Sequence, residues 1–244
     1  MKALLKVENL KKEGILHGIS FEVGEGELLG IMGPSGSGKS TLLYHVSGME
    51  HIESGSVTLG GAPVSTMSED ELADFRLRKT GFVFQQMNML ADLPLLDNIL
   101  LPAYAVNKTK AEKRQKQAYA IELMKRMQID RLADRMITQV SGGQLQRACI
   151  CRSMINHPLL LFADEPTGAL NRAAASEIMD ELTGLNRDGT AILMVTHDSK
   201  VACRCDRILY LLDGSIQGEL SFSEKENLPE REERIGTWLR KLGW

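Results

Sequence analysis

The chain has 244 residues, of which 43% are hydrophobic and 25% are charged, and its formal net charge is −3. This composition is typical of a globular protein with one large domain or two small ones, and the slight acidity argues against nucleic acid as a partner. No segment has the roughly 20 apolar residues that a membrane-spanning helix needs. The first residues, Met1–Lys6, are too short and too soon charged for a signal peptide. We therefore expect a cytoplasmic protein that reaches a membrane only through a partner chain.

The first part of the sequence contains short runs typical of β-strands. One apolar run, Leu28–Met32, is followed directly by the glycine-rich loop Gly33–Gly38. A helix is predicted after the loop, over Lys39–Gly48. This order of strand, glycine loop and helix is a local pattern that needs no distant contact to be recognised. The strands predicted in this part are Leu4–Val7, Ile19–Val23, Leu28–Met32, Ser56–Leu59 and Gly81–Phe84.

Between Met87 and about Met154 the pattern becomes helical. Lys108–Met127 predicts one long helix whose inward-facing residues follow the i, i+3, i+4, i+7 spacing. The basic run Lys108–Lys116 is predicted to be the solvated face of this helix, since no aromatic residues interleave it for base stacking. The inward-facing residues are Ala120, Leu123, Met124 and Met127.

Two later runs, Leu159–Phe162 and Ile192–Val195, are fully apolar, as expected of buried parallel strands. Helical segments lie between them. The sequence therefore predicts an α/β core that carries a helical insertion, without internal repeats.

The four cysteines form two Cys-x-Cys pairs, Cys149/Cys151 and Cys203/Cys205. Two such pairs could indicate a zinc site. Both pairs lie in patterns that predict helices, where residues i and i+2 point about 200° apart and cannot readily share a metal. We therefore interpret them as small core thiols in a reducing compartment.

The glycine loop and the residues after it, Gly33–Thr41, fit the P-loop pattern in full. Its glycines let backbone N–H groups turn around a phosphate, and the helix N-terminus adds its positive dipole end. Lys39 is expected to reach the β- and γ-phosphates, and the Ser40 hydroxyl to bind Mg²⁺. The alternative is a plain glycine turn, which Lys39 and Ser40 together disfavour.

Two adjacent carboxylates, Asp164 and Glu165, follow the apolar run that begins at Leu159. A buried strand delivers catalytic groups at its C-terminal end in an open α/β sheet. Asp164 is expected to hold Mg²⁺, directly or through water, and Glu165 to act as the general base on the attacking water. The alternative is a strand that ends in a solvated acidic loop.

A second potential anion-binding helix start is Ser141–Gln144. Taken alone, it could equally be an ordinary capped helix. One ATP has no evident need of two such sites from one chain. Two chains facing head to tail would need both, each lending its segment to the γ-phosphate of the other.

With these three segments in this order, the chain resembles the ATP-binding cassette (ABC) family from Leu5 to Gly218. The resemblance makes Gly33–Thr41 the Walker A loop, Ser141–Gln144 the signature, and the strand ending at Asp164 the Walker B strand. It adds Gln85 as the Q-loop glutamine, which contacts Mg²⁺ and water, and His197 as the switch histidine on the γ-phosphate. Together, these inferences assign nucleotide binding to Gly33, Pro34, Ser35, Gly36, Ser37, Gly38, Lys39, Ser40, Thr41, Ser141, Gly142, Gly143 and Gln144, metal binding to Ser40, Gln85 and Asp164, and catalysis to Glu165, His197 and Gln85.

The resemblance implies a P-loop NTPase core with a parallel sheet, an antiparallel β subdomain and a helical insertion. A single domain is expected over residues 1–244. Residues 1–86 and 155–244 would form the core and β subdomain, and residues 87–154 the helical subdomain that carries the signature. ATP and Mg²⁺ are the implied cofactors.

The wording of the motifs is similar to the macrolide-exporter, lipoprotein-releasing and bacitracin-resistance group, and the tail Arg231–Leu239 resembles peptide-antibiotic-resistance members. The implied partners are a second copy of the chain in a head-to-tail ATP sandwich and a permease with a large extracellular domain. The permease is expected to dock near Met87–Leu93, whose alternative role is core filling. The chain would then lie on the inner face of the cell membrane. The tail residues Ile235, Trp238, Leu239 and Leu242 make one helical face, predicted to pack on the core.

Two positions depart from the family pattern. Lys12–Ile15 lacks the aromatic residue that commonly stacks on adenine, which predicts weakened ATP affinity or loose base selectivity. Asn171 stands where Asp is commoner, so it keeps an acceptor and loses a charge, which puts coupling across the dimer in question.

Other functions remain open at this stage. A soluble ABC ATPase of translation or DNA repair would usually carry two cassettes or a coiled-coil insertion. A low-turnover regulatory module that signals through a membrane partner, as in the cell-division relatives, is not excluded.

Overall fold

The computed structural model describes residues 2–223 and 225–243. Alternating and apolar runs form its strands, and most extend one or more residues beyond the predicted bounds because cross-strand pairing carries them on. Within the described residues the strands are β1 (Ala3–Lys12), β2 (Leu16–Gly24), β3 (Leu28–Met32), β4 (Ser54–Leu59), β5 (Ala62–Pro63), β6 (Thr80–Val83), β7 (Leu160–Asp164), β8 (Ala191–Val195), β9 (Arg207–Leu212) and β10 (Ser215–Ser221).

The strands form two sheets. The first is antiparallel, with the order β2-β1-β4-β5. The second has the order β10-β9-β3-β8-β7-β6; its strands are parallel except β10, which pairs antiparallel with β9 at one edge. The predicted α/β fold with a parallel sheet and an antiparallel β subdomain is confirmed.

Most of the helices begin after a polar residue whose side chain caps the helix; the helices that begin at Lys39 and Leu95 do not, because Gly38 and Pro94 stand at their N-caps. Three residues cap helices in a capping box: the side chain accepts from the backbone N–H three residues later, and the backbone N–H of the capping residue donates to that later residue's side chain. These residues are Ser68, Thr109 and Ser141. The helices are α1 (Lys39–Val46), α2 (Glu69–Lys79), α3 (Leu95–Val106), α4 (Lys110–Arg126), α5 (Gly142–Met154), α6 (Arg172–Arg187), α7 (Ser199–Ala202) and α8 (Leu228–Lys241). None of them is both long and apolar enough to cross a bilayer.

The parallel sheet is buried on both faces, which explains its fully apolar strands. Along β3, Leu28 and Met32 belong to a core shared with α3–α6 and α8. Leu29 and Ile31 belong to a second core, shared with α1 and the antiparallel sheet. The elements between Leu95 and Met154 are helical and pack on the first core, where the sequence predicts the helical subdomain.

Two local expectations have clear outcomes. The tail helix α8 packs on the core as predicted: Ile235 and Leu239 are buried, and Trp238 meets Tyr210 edge-on at 6.1 Å between ring centroids. The long helix α4 also buries its predicted face, because Ala120, Leu123 and Met124 all lie in the core.

The helical environment predicted for both cysteine pairs is wrong for the second pair. Cys149 and Cys151 lie in α5, but α7 ends before Cys203, and the backbone turns through Cys205 into β9. All four thiols are buried. Burial raises the pKa of Cys149 to about 11 and raises that of Cys205 well above its usual value, so these thiols stay protonated.

Candidate functional site

Four loops leave the same edge of the parallel sheet. Because β3, β6, β7 and β8 run in one direction, their C-terminal ends meet at that edge. The register sets Val195 level with Ile31 on one side and Asp164 on the other. The predicted site residues that follow these strand ends are Gly33–Gly38, Gln85, Glu165 and His197.

The first residue of the glycine loop has no room for a side chain. A Cβ on Gly33 would lie 2.1 Å from the Leu211 carbonyl oxygen. Gly38 has φ +96°, a left-handed conformation that favours glycine, and it is the N-cap of α1. The Gly214 N–H donates to the Ser37 carbonyl at 3.1 Å, so the β9–β10 turn fixes the loop from behind. These contacts give the loop its shape before any ligand arrives.

The N-terminus of α1 has no side-chain cap, unlike those of α2, α4, α5, α6 and α8. The first N–H groups of a helix lack intrahelical partners, so this end is suited to an anion. The Lys39 ammonium lies in the loop and donates to the Gly33 and Pro34 carbonyls at 2.8 and 2.7 Å. Burial lowers the pKa of Lys39, and the carboxylates of Glu165 and Asp164 oppose that shift.

Asp164 is held by two hydroxyl groups on α1. The Ser40 hydroxyl donates to Asp164 Oδ1 at 3.0 Å, and the Tyr44 hydroxyl donates to Oδ2 at 2.9 Å. Burial, with the carboxylate beside it, raises the pKa of Tyr44 to about 12, so the hydroxyl remains a donor at neutral pH. Sequence reasoning found Ser40 and Asp164 but missed Tyr44. The available signal was its position four residues after Ser40, on the same helical face.

Glu165 and His197 are brought together, although 32 residues separate them. His197 Nδ1 lies 2.9 Å from Glu165 Oε1. The Glu165 side chain is largely shielded, whereas that of His197 is mostly exposed. Glu165 has φ +43°, an unusual value for a residue with a side chain, and such strain is common at functional sites. The backbone thus turns this carboxylate away from the strand and toward His197.

Several of these residues line one cleft of about 690 Å³. The walls include Lys39, Ser40, Gln85, Glu165 and His197, so the cleft joins the P-loop to the residues predicted to be catalytic. Gln85 is exposed there, just beyond β6.

The β1–β2 hairpin places an aliphatic side chain in the cleft beside the P-loop. The β1–β2 hairpin turns tightly, with the Ile15 N–H donating to the Lys12 carbonyl at 3.0 Å. Ile15 lines the cleft and is 38% exposed, and a Cβ on Gly38 would lie 3.3 Å from its Cγ2 atom. The Lys12 ammonium is paired with Glu53. Ile15 thus lies in the segment where other family members commonly carry an aromatic residue.

We expect this aliphatic surface to discriminate poorly among bases. ATP and inorganic tripolyphosphate should bind with comparable affinity, and Ile15→Tyr should tighten ATP alone by about fivefold or more, as base stacking implies. Calorimetric titration of both ligands checks this. Glu13→Tyr, on the same turn but outside the cleft, is the matched control. Strong preference of the unmodified chain for ATP over tripolyphosphate would contradict the expectation.

The signature segment lies outside this cleft. Ser141 caps α5, accepting from the Gln144 N–H at 3.3 Å, while the Gln144 side chain accepts from the Ser141 N–H at 2.9 Å. Ser141 and Gly142 are exposed, and none of Ser141–Gln144 lines the cleft. One chain therefore brings together its Walker, Q-loop and switch residues but leaves its signature apart from them.

Asn171 has a structural role in this chain. Its side-chain oxygen accepts from the Ala174 N–H at 3.0 Å and caps α6. Asn and Asp cap helices about equally well, so the missing charge does not affect this capping role.

The chemistry of the cleft fits a magnesium-bound nucleotide. The Ser37 hydroxyl oxygen is buried without a hydrogen-bond partner among the described residues, and the uncapped helix end is open to phosphate. Ser40 and Asp164 supply the oxygen atoms that Mg²⁺ prefers, and that ion commonly binds one or two carboxylates plus substrate phosphates. In the described part of the chain, no group of three or more His, Cys, Asp or Glu side chains is placed to hold a metal by itself. A bound nucleotide would supply phosphate oxygens as further ligands.

Comparison with known proteins agrees with this geometry. The family model described as ABC transporter matches residues 16–168. A dimer of the ATP-binding cassette MJ0796 in a post-hydrolysis state with ADP and Pi is 35% identical over 90% of this chain and 99% of that one, with a TM-score of 0.79. A second dimeric structure of MJ0796, described as a bacterial ABC transporter cassette, is 37% identical with the same coverage and a TM-score of 0.80.

A third structure, the ADP conformation of the ABC transporter cassette MJ1267, shares the fold at 22% identity, with a TM-score of 0.81 over 97% of this chain and 96% of that one. The chain therefore belongs to the ABC transporter family and is an ATPase cassette. The narrower group that the motifs resemble is not distinguished by these matches.

Proposed function

We propose that two copies of this chain close head to tail around two ATP molecules, hydrolyse them and drive a membrane permease. The observation that carries the proposal is the separation of the signature from the cleft. Ser141 and Gly142 are exposed at a helix start suited to an anion, and their own chain's cleft lacks them. A second copy would bring this helix start to the γ-phosphate. The related cassette MJ0796 is a dimer in two structures.

In this arrangement each side chain has a distinct task. Lys39 leaves the carbonyls that it contacts here and binds the β- and γ-phosphates. Ser40 and Asp164, with Gln85 nearby, would hold Mg²⁺, which would neutralise phosphate charge. Glu165 accepts a proton from the attacking water, and its contact with His197 orients the carboxylate.

The permease completes the proposed machine. The motif wording favours the macrolide-exporter, lipoprotein-releasing and bacitracin-resistance group, so the partner would carry a large extracellular domain and work in peptide-antibiotic resistance or in lipoprotein or peptide export. The chain would lie on the cytoplasmic face of the membrane, held there by the permease. The substrate is then selected by the permease.

The segment expected to meet the permease is held by hydrogen bonds at its first residue and at its middle residue. The Arg152 guanidinium donates to the Met87 carbonyl at 2.8 Å, and the buried Asn98 amide bonds to both the N–H and the carbonyl of Leu90. Met89 packs against the helical core, so its replacement would also disturb folding. Leu90 is 54% exposed, more than any other large hydrophobic side chain among the described residues, and is therefore free to contact a partner.

We therefore expect Leu90→Asp to uncouple the permease while leaving nucleotide binding intact. In vesicles that contain the co-expressed permease, the permease should raise the ATP turnover of the unmodified chain and have little effect on the variant. Leu159→Asp, which alters another exposed leucine, is the matched control. If Leu90→Asp responds to the permease as fully as the control, docking at this segment is wrong.

The same assay separates the alternatives. A low-turnover regulatory module would hydrolyse little ATP with or without the permease, and a soluble ATPase of translation or DNA repair would turn over ATP but ignore the permease. The described helices and strands form a single cassette without a coiled-coil insertion, which supports the transporter proposal over the soluble one.

A further inference from the structure

The Asp164 carboxylate is gripped at both oxygens by side chains one helical turn apart. Ser40 and Tyr44 occupy positions i and i+4 of α1, so both hydroxyls lie on the face directed at the end of β7. Asp164 is only 3% exposed, so solvent does little to hold its carboxylate. The terminal torsion of aspartate is broad, and neighbouring donors therefore decide how the carboxylate plane is turned.

The Tyr44 ring is itself fixed by aromatic packing. It lies 5.8 Å from the Phe82 ring, centroid to centroid, and Phe82 stacks on Phe84 at 4.2 Å and on Phe162 at 6.0 Å. Phe82 and Phe162 belong to the neighbouring strands β6 and β7. The tyrosine hydroxyl is therefore presented to Asp164 by a rigid support rather than by a mobile surface side chain.

We propose that Tyr44 is a positioning residue for the magnesium site: it holds Oδ2 so that Oδ1 stays directed at Ser40 and the metal. This inference rests on the proposed function, in which Asp164 and Ser40 hold Mg²⁺. With Mg²⁺ bound, Ser40 and Asp164 would hold the ion, and the Tyr44 hydroxyl would still be free to donate to Oδ2. The carboxylate then needs no reorientation. Groups that orient a metal ligand in this way commonly contribute 10- to 100-fold to metal affinity.

The test is the Mg²⁺ dependence of nucleotide binding in Tyr44→Phe, which removes the hydroxyl and keeps the ring. Binding of the non-hydrolysed analogue AMP-PNP is measured by calorimetry in EDTA and across a Mg²⁺ series, and Mn²⁺ binding is followed by electron paramagnetic resonance. The Mg²⁺ concentration for half-maximal tightening should rise about tenfold or more. Affinity in EDTA should be unchanged, because Lys39 and the P-loop are intact. Tyr119→Phe is the matched control, because Tyr119 lies in α4 and its ring is stacked on His157.

The outcomes distinguish failure of the Tyr44 positioning role from failure of the proposed magnesium site. If the unmodified chain responds to Mg²⁺ and Tyr44→Phe responds identically or more strongly, the positioning role is wrong. A variant that melts earlier but keeps the normal Mg²⁺ response has lost only a structural bond, which also overturns the inference. If Mg²⁺ does not tighten AMP-PNP binding in the unmodified chain, the proposed metal site fails, and the role of Tyr44 fails with it.

Discussion

Glu165→Gln is expected to lower ATP turnover by roughly 10²- to 10⁴-fold, the contribution usual for a general base. Glutamine has nearly the same shape and can keep a contact with His197, but it cannot take the proton from water. Nucleotide binding should persist, because Lys39 and Ser40 are untouched. Phosphate release at saturating Mg²⁺-ATP measures the loss, and Glu233→Gln on the exposed side of α8 is the control.

Near-normal turnover in Glu165→Gln would show that another residue is the general base. A large loss with weakened ATP affinity would indicate instead that Glu165 supports the cleft. If Glu165 is the general base, the turnover falls while the ATP affinity is unchanged, so both quantities are measured on the same preparation.

Ser141→Asp is expected to weaken ATP-driven dimerisation by roughly 100-fold or more, since like charges brought together across an interface cost several kcal/mol. Aspartate caps helices about as well as serine, so α5 should remain intact. Ser141→Asn is the matched control, because it has the size of aspartate and caps equally well without the charge. The comparison isolates negative charge at the place where the partner's γ-phosphate is proposed to lie.

Sedimentation at rising ATP concentration gives the dimerisation constant for both variants. ATP binding to the separate chains should be equal in the two, since Ser141 lies outside their own cleft. Equal dimerisation of the Asp and Asn variants would place the signature away from phosphate and contradict the head-to-tail arrangement.

Much of the site follows from local pattern. The P-loop is contiguous, so its glycines, Lys39 and Ser40 can be predicted together. Glu165 and His197 each follow a fully apolar run, and parallel strands place such ends at one edge of a sheet. The inward face of α4 and the apolar face of α8 follow from helical periodicity alone.

The remaining features depend on contacts between distant segments. The bond between Tyr44 and Asp164 joins residues 120 positions apart: helical spacing puts Tyr44 on the face of Ser40, but only the packing of α1 against β7 brings it to Asp164. Cys203 and Cys205 lie in a turn because the chain must enter β9, although the pattern around them predicts a helix. The fit of Ile15 over Gly38 is likewise set by how the hairpin meets the P-loop.

The molar mass of Glu165→Gln in saturating Mg²⁺-ATP, measured with and without the added change Ser141→Asp, shows whether two chains close on each other. The single chain has a mass of 27.0 kDa. We expect Glu165→Gln to have twice that mass with ATP and the single mass without it. The double variant should bind ATP yet keep the single mass. A Glu165→Gln chain that stays single with ATP bound, or a double variant that dimerises equally well, would contradict the proposal that each chain closes the site of the other.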